Sequence, residues 1–439
     1  MRPLGYCRHL RSYGWEPCVL TTNPENTYPL HKRDANLERR IPYGVPVIRV
    51  PYVDRLSQLL QLRDRVCGLW KGISSKSAVT VQPKSGEGEG AGDSKGRPSL
   101  KQALLEAIFE FPDRQCSWAA EAVQAGRSFG QPDIPDAVFA TGGPWTSFVV
   151  GHELATHFRC PLLLDYRDPW TCNPYYSYSS PFLRWRAHRL EERLFRLASR
   201  VVANTEELKQ EFAVQFPALA QKVVCIPNGY DREIVGAGES VAQNFASSEE
   251  SGYEFCHFGT VYGRRTPKAL FKAVLTLFQN HAIAPKQIKM RFVGGWDVAD
   301  VECNRFAEEL EAHGFLKREP AVAHDACMRE MSRSNTLLVL QPDSPMQIPA
   351  KIYEYVATGR PLLLVGGEGA TANLVRRHSL GLDTPNDAVA IRALLEDLAG
   401  GQRRLMPPSA KEIARFDYHQ LAGELSSVLD AAVGAGQAL

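Results

Sequence analysis

Two doubly wound, Rossmann-like α/β domains facing a cleft are what this 439-residue sequence predicts, and three observations carry the expectation. The chain is longer than a single hydrophobic core usually grows. Apolar, strand-like runs alternate with amphipathic stretches along nearly its whole length, the pattern of parallel sheets covered on both faces. These runs fall into two series, divided by IVGAGESVAQNFASSEESG (234–252), whose small, polar, glycine-bearing composition suits a linker.

The first series is PCVLTT (17–22), PDAVFATGG (135–143), PLLLDYRD (161–168), SRVVANTEE (199–207) and KVVCIPNGYD (222–231). The second is YEFCHFGT (253–260), IKMRFVGG (288–295), NTLLVLQPD (335–343) and RPLLLVGG (360–367). They set an N-terminal domain over 1–235, a linker over 236–252, a C-terminal domain over 253–415 and a closing helix within 416–439. Residues 74–99 are rich in Ser, Gly, Lys and Glu with little to bury, and read as a disordered insertion in the first domain. A doubly wound domain normally opens with a strand and a glycine-bearing turn. Here RPLGYCRHLRSYGWEPCVLTT opens with a helix, Gly14 and a strand, so the first domain is expected to lack its first strand.

Lys plus Arg number 51 against 49 Asp plus Glu, a balance that argues against a nucleic-acid partner held by bulk positive charge. Residues 1–72 are locally basic, and LSQLLQLRDRVCGLWKG (56–72) sets Leu56, Leu59, Leu60, Val66, Leu69 and Trp70 beside Arg55, Arg63, Arg65 and Lys71, as an interfacial helix would; the alternative is an ordinary helix covering the first sheet with its basic face in water. Ten scattered cysteines form no Cys-x-x-Cys pair and read as reduced thiols, and no apolar run reaches the length of a membrane helix. The expectation is a cytoplasmic protein, with peripheral contact at a membrane surface.

In open α/β sheets, ligands gather where strands end. HFGTVYGRRTPKAL (257–270) ends a strand at Gly259-Thr260 and presents Arg264 and Arg265 before a helix, a combination of backbone amides and guanidinium groups suited to phosphate. IPAKIYEYVATGRPLLLV (348–365) predicts a helix starting near Pro349 and stopping at Gly359, with Ile352, Tyr355 and Val356 inward. Lys351 and Glu354, three apart on the outer face, suit a diphosphate and vicinal hydroxyls; the alternative is a surface ion pair. In the first domain, Thr141, Gly142 and Gly143 end one strand, and Asp165, Arg167 and Asp168 end the next. They are candidates for binding a polar acceptor, and the charged trio is equally suited to internal ion pairs that hold loops. His152 reads as packing or capping, and Trp145 and Trp170 as loop anchors ahead of a sugar-stacking surface.

The ordered set TGGPW, DYRDPW, NTEEL, IPNGYD, HFGTVYGRRTP and IPAKIYEYVATGRP resembles the family-4 glycosyltransferases of the GT-B type, above all the bacterial group that builds surface polysaccharides. The likeness covers nearly all of the chain outside 74–99, and the helix at about 416–433 is similar to the one that crosses back onto the first domain. It implies a nucleotide-diphosphate sugar as donor, a saccharide or lipid-linked saccharide as acceptor, transfer with retention, and no metal. By position, Arg265 matches the basic residue facing the diphosphate, Glu354 the ribose carboxylate, and Gly259-Thr260 the diphosphate loop; Arg264 and Tyr353 are grouped with them on the donor side. The family often carries a second glutamate where this chain has Met346, and a basic residue where it has Thr260, which leaves Arg265 and Lys351 with the diphosphate. Arg265, Lys351 and Asp168 are the catalytic candidates. Rival readings are a nucleotide-sugar 2-epimerase, which would need acid and base groups where histidines are sparse, and a sugar-binding or scaffold protein without turnover.

Overall fold

The computed structural model describes residues 2–23, 35–52, 100–129, 134–176, 178–235, 252–263, 265–341 and 344–437. The expected insertion at 74–99, the amphipathic stretch 56–72, Arg264 and all of the linker except Gly252 lie outside these residues. The chain divides into two compact units, one built on four central strands and one on six.

The four-stranded unit comprises Leu10–Asn204, Lys209–Cys225 and Leu425–Leu439. A parallel pair, β1 (Val19–Thr22) and β2 (Val47–Val50), precedes the sheet β3 (Val138–Gly142), β4 (Leu162–Tyr166), β5 (Arg200–Ala203) and β6 (Val223–Cys225), whose strands are parallel and lie in chain order. Every residue of β4 is buried, which explains its continuous apolar run: a parallel strand covered on both faces has no solvent side to mark with polar residues. The helix Pro181–Leu197 starts where Ser180 Oγ accepts the Leu183 amide at 3.2 Å and proline occupies the first turn. Phe195 and Phe212 of the covering helices pack on Tyr166 with ring centroids 5.6 and 4.8 Å away.

The six-stranded unit comprises Met1–His9, Thr205–Leu208 and Ile226–Glu424. Its strands are β7 (Tyr253–Phe258), β8 (Val261–Tyr262), β9 (Ile288–Val293), β10 (Trp296–Asp297), β11 (Leu316–Glu319), β12 (Thr336–Gln341), β13 (Leu362–Gly366) and β14 (Gly381–Thr384). β8 and β10 form a small parallel pair, and the main sheet runs β11-β9-β7-β12-β13-β14, all parallel. Chain direction across the sheet therefore reverses between β7 and β12, the switch point at which such sheets open a crevice for ligands. β7 pairs with β9 over six residues, Tyr253 to Phe258, but with β12 only at Phe255 and Cys256, so its carboxyl end is joined on one side only.

The sequence places residues 1–9 in the N-terminal domain; the structure places the helix Arg2–His9 in the six-stranded unit. Arg2, 3 % exposed, donates to the carbonyls of Pro227 and Ile226 at 2.6 and 2.9 Å. Asp231 binds Arg8 Nε at 2.6 Å and His9 Nε2 at 3.3 Å. Burial opposes ionisation of Asp231, yet His9 and Arg8 together hold its carboxyl below the usual range. NGYD is thus a structural hub: Tyr230 and Phe416–Tyr418 exchange main-chain hydrogen bonds, and a Cβ on Gly229 would strike the Phe416 carbonyl oxygen at 2.3 Å. The closing helix runs Tyr418–Gln437, its first residues counted in the six-stranded unit and those from Leu425 in the other.

Candidate active site

The carboxyl end of β7 turns through Gly259, whose φ of +139° lies where an L side chain is strained. The turn is anchored to the end of β9: Gly259 N–H donates to Val293 O at 2.9 Å and Val261 N–H to Gly295 O at 2.9 Å. Gly294 permits this contact, since a Cβ there would meet the Gly259 carbonyl oxygen at 2.2 Å.

Across the switch point, the helix Lys351–Ala357 follows β12 and stops at Gly359, where φ is +68°. Ile352, Tyr355 and Val356 are buried as the periodicity predicts. Tyr355 fixes the helix against the strand end, for its hydroxyl accepts from Phe258 N–H at 2.9 Å and donates to Phe258 O at 3.2 Å. Lys351 and Glu354 remain on the outer, half-buried face. Glu354 Oε1 lies 3.7 Å from His324 Nε2. Tyr353, grouped with the donor-side residues from sequence, instead points into the core: it is fully buried and packs on Phe416 with centroids 5.4 Å apart. At about 100° per residue, position 353 lies about 160° round the helix from Lys351 and about 100° from Glu354.

The anchoring of this helix brings Lys351 over Gly259. A Cβ at position 259 would stand 3.6 Å from Lys351 Nζ and 3.9 Å from His257 Nε2. His257, on β7, had no signal of its own in the sequence. Its Nδ1 lies 3.0 Å from the Leu338 carbonyl oxygen of β12, just beyond the point where β7 and β12 cease to pair. Burial, joined by the charges of Lys351 and Arg265, pushes the His257 pKa down to about 4, so the ring is neutral at physiological pH. Arg265 follows the same turn; its N–H donates to Tyr262 O at 3.0 Å, and its guanidinium lies 5.5 Å from the Tyr262 ring centroid. Thr260 is exposed beside Gly295. Two fixed cations and a neutral imidazole therefore gather at one strand end, an arrangement that can receive an anion such as a diphosphate.

In the four-stranded unit the residues nominated for an acceptor hold one another. Thr141 Oγ1 donates to the buried Asp165 carboxylate at 2.8 Å, tying the ends of β3 and β4. Arg167 Nε donates to Gly142 O at 3.0 Å, its Nη2 donates to Gly143 O, and the Asn204 amide donates to the Arg167 carbonyl. Asp168 is exposed. Trp145 and Trp170 stack with centroids 5.0 Å apart and planes 7° from parallel, and Trp170 is 2 % exposed, which makes the pair a loop anchor. His152 sits mid-helix, its carbonyl accepting from Thr156. A buried carboxylate absent from the sequence-based candidates lies below: Glu191 accepts the Thr171 hydroxyl, which accepts from Gln215 Nε2 at 2.8 Å.

Comparison with known proteins agrees with this architecture. Residues 92–229 match the family described as "Glycosyl transferase 4-like domain". No curated protein matches the chain by sequence. Among solved structures, the HepE protein of Anabaena in complex with UDP is 18 % identical, with 72 % of this chain and 82 % of that one covered and a TM-score of 0.51. The sucrose-phosphate synthase of Thermosynechococcus elongatus is 15 % identical over 99 % of this chain and 92 % of its own, with a TM-score of 0.51. A glycosyltransferase of Rickettsia africae is 12 % identical over 95 % and 99 %, again at 0.51. At these identities the solved structures speak to the fold alone, and the family match speaks to residues 92–229. Residues 92–229 thus match a glycosyl transferase 4-like domain, within a chain whose fold is that of these solved structures.

Proposed function

We propose that the chain transfers a sugar, with retention and without a metal ion, from a nucleotide-diphosphate donor to a saccharide or lipid-linked saccharide in surface polysaccharide assembly. The observation that carries this reading is the placement of Lys351 Nζ over the Gly259 turn at the switch point of the six-stranded sheet, with the charge of Arg265 acting alongside it on His257. The complex of the similar Anabaena protein with UDP supports a uridine or related nucleotide as the donor's leaving part.

In this mechanism the bond from the sugar's anomeric carbon to the diphosphate oxygen breaks, and the bond to the acceptor oxygen forms on the same face. The acceptor's proton passes to the departing diphosphate. Lys351 and Arg265 meet the charge that grows on the leaving group, where fixed cations act most strongly because they need no rearrangement. Glu354, half-buried on the same helix face, accepts from the ribose hydroxyls. Asp168, on the loop after β4, serves to orient the acceptor hydroxyl. Peripheral membrane contact is supported by the helix Pro181–Leu197, on which Phe182 and Trp185 are each 59 % exposed with rings stacked 5.9 Å apart, beside the exposed Arg184, Arg189, Arg193 and Arg196. Among the described residues no helix is long and apolar enough to cross a membrane.

The test is release of nucleoside diphosphate by the full-length protein from UDP-, GDP- and dTDP-sugars, with simple saccharides as acceptors. Turnover of one donor class with the anomeric configuration kept supports the reading; interconversion of the donor sugar without release makes the protein an epimerase, and binding without turnover makes it a sugar-binding protein.

A further inference from the structure

The corner of the site at Gly259 carries a chemical constraint beyond positive charge. A carbonyl oxygen only accepts hydrogen bonds, so the 3.0 Å contact with Leu338 O requires the proton of the neutral His257 ring to sit on Nδ1. Nε2 is then a bare acceptor, turned toward the same point as the Lys351 ammonium, which only donates. Among the described residues outside the immediate chain neighbours of Gly259, no other heavy atom comes within 4 Å of that point. An oxygen packed against Gly259 on that side, about 1 Å nearer to each nitrogen than the Cβ position itself, comes within hydrogen-bond reach of both groups. To satisfy both, that oxygen must accept from Lys351 and donate to His257. A diphosphate oxygen ionised at neutral pH accepts but has no proton to give; a hydroxyl does both.

We infer that His257 is a specificity-determining residue, whose Nε2 accepts a hydrogen bond from a hydroxyl of the donor's sugar while Lys351 donates to the same oxygen. The inference rests on the nucleotide-sugar reading above and gives one of the three Lys351 donors to the sugar hydroxyl, leaving the others for the diphosphate beside it. His257 stays an acceptor across the physiological range because burial and the two neighbouring cations keep its pKa near 4.

The experiment compares nucleoside diphosphate with sugar nucleotide on the full-length protein and His257→Asn, by calorimetric titration with UDP and UDP-glucose, GDP and GDP-mannose, and dTDP and dTDP-glucose. Asparagine keeps an N–H for Leu338 O and removes the Nε2 acceptor. For whichever pair binds, the variant is expected to hold the nucleoside diphosphate within about twofold of the parent and the sugar nucleotide about tenfold more weakly, the loss of one buried hydrogen bond. Deoxyfluoro donors, in which one hydroxyl at a time becomes fluorine, should reproduce that loss on the parent at one position and cause no further loss on the variant. Equal losses for nucleotide and sugar nucleotide, or none for either, would overturn the inference while leaving the donor reading intact; failure of every nucleotide to bind would overturn the donor reading itself. Should His257→Asn not fold, the ring's nitrogen-15 NMR signals in the parent decide, since a protonated Nε2 contradicts the assignment and a bare Nε2 upholds it.

Discussion

Replacing Glu191 with glutamine separates the electrostatic cost of a buried carboxylate from its hydrogen bonding. Glu191 is fully buried on the helix Pro181–Leu197 and accepts from Thr171, beneath the loop that carries Arg167 and Asp168. Burial, the largest influence, raises its pKa from 4.5 to about 7 against the opposing pull of the Thr171 hydrogen bond. The folded protein thus holds this proton more tightly than the unfolded chain, so the contribution to stability is complete below pH about 4.5 and is lost as pH rises through about 7. At about 1.36 kcal/mol per pKa unit the full loss is about 3 kcal/mol, and integrating the two titrations assigns about 1.3 kcal/mol of it to the interval between pH 6 and pH 8. An amide of the same shape keeps an acceptor for Thr171 and never ionises. Glu191→Gln should therefore gain stability relative to the parent by about 1.3 kcal/mol between pH 6 and pH 8, since other titrating groups cancel in the comparison. Urea unfolding at pH 6, 7 and 8, followed by tryptophan fluorescence, reads the effect from this unit, where Trp170 lies buried against Trp145. A difference between variant and parent that does not change with pH would refute the reasoning.

Further expectations concern the six-stranded unit and the surface. Glu354→Ala should weaken nucleoside diphosphate binding by about 1.5–3 kcal/mol, the worth of hydrogen bonds to a charged group, and an unchanged calorimetric affinity would remove Glu354 from the site. Gly259→Ala forces a side chain onto a backbone at φ +139° beside Lys351, so turnover should fall at least tenfold, with a lowered melting temperature from strain of about 1–3 kcal/mol; wild-type turnover would show that the turn tolerates a Cβ. Asp231→Asn leaves Arg8 and His9 without their buried carboxylate and should destabilise the unit by about 3–5 kcal/mol, read by thermal melting of the full-length protein. Binding to anionic vesicles in sedimentation should weaken as salt rises and be lost in the Phe182→Ser, Trp185→Ser double variant, and retention in the supernatant at low salt would end the membrane reading.

What was legible in the sequence follows from locality. The buried strands β4, β12 and β13 announce themselves as unbroken apolar runs because neither face meets water. The helix at 351–357 is equally plain, its inward stripe and its stop at Gly359 being fixed by residues within a few positions of one another. The edge strands β11 and β14, LKRE and GLDT, are half-exposed at the margins of the sheet and carry no such run, so they passed unread. Tyr353 was misread because its sequence neighbours Lys351 and Glu354 face outward while the helix turns it inward. Charged residues at strand ends look alike whether they bind ligand or brace a loop; Asp165 and Arg167 proved to be engaged with Thr141, Gly142 and Gly143. His257 could not have been singled out, since its meaning depends on a carbonyl 81 residues away on a strand that becomes its neighbour only after folding. The destination of the first helix was hidden for the same reason, its partners lying more than 220 residues along the chain.

The most direct test of the central claim is the affinity of the full-length protein for UDP, GDP and dTDP and for the matching nucleosides, measured by calorimetry alongside Lys351→Ala and Arg265→Ala. If the donor's diphosphate is received by these two cations at the Gly259 turn, one nucleoside diphosphate should bind at least tenfold more tightly than its nucleoside, and each substitution should remove most of that advantage, about 1.5–3 kcal/mol per lost charge-assisted contact. Diphosphate affinities unchanged by either substitution, or a nucleoside bound as tightly as its diphosphate, would contradict it.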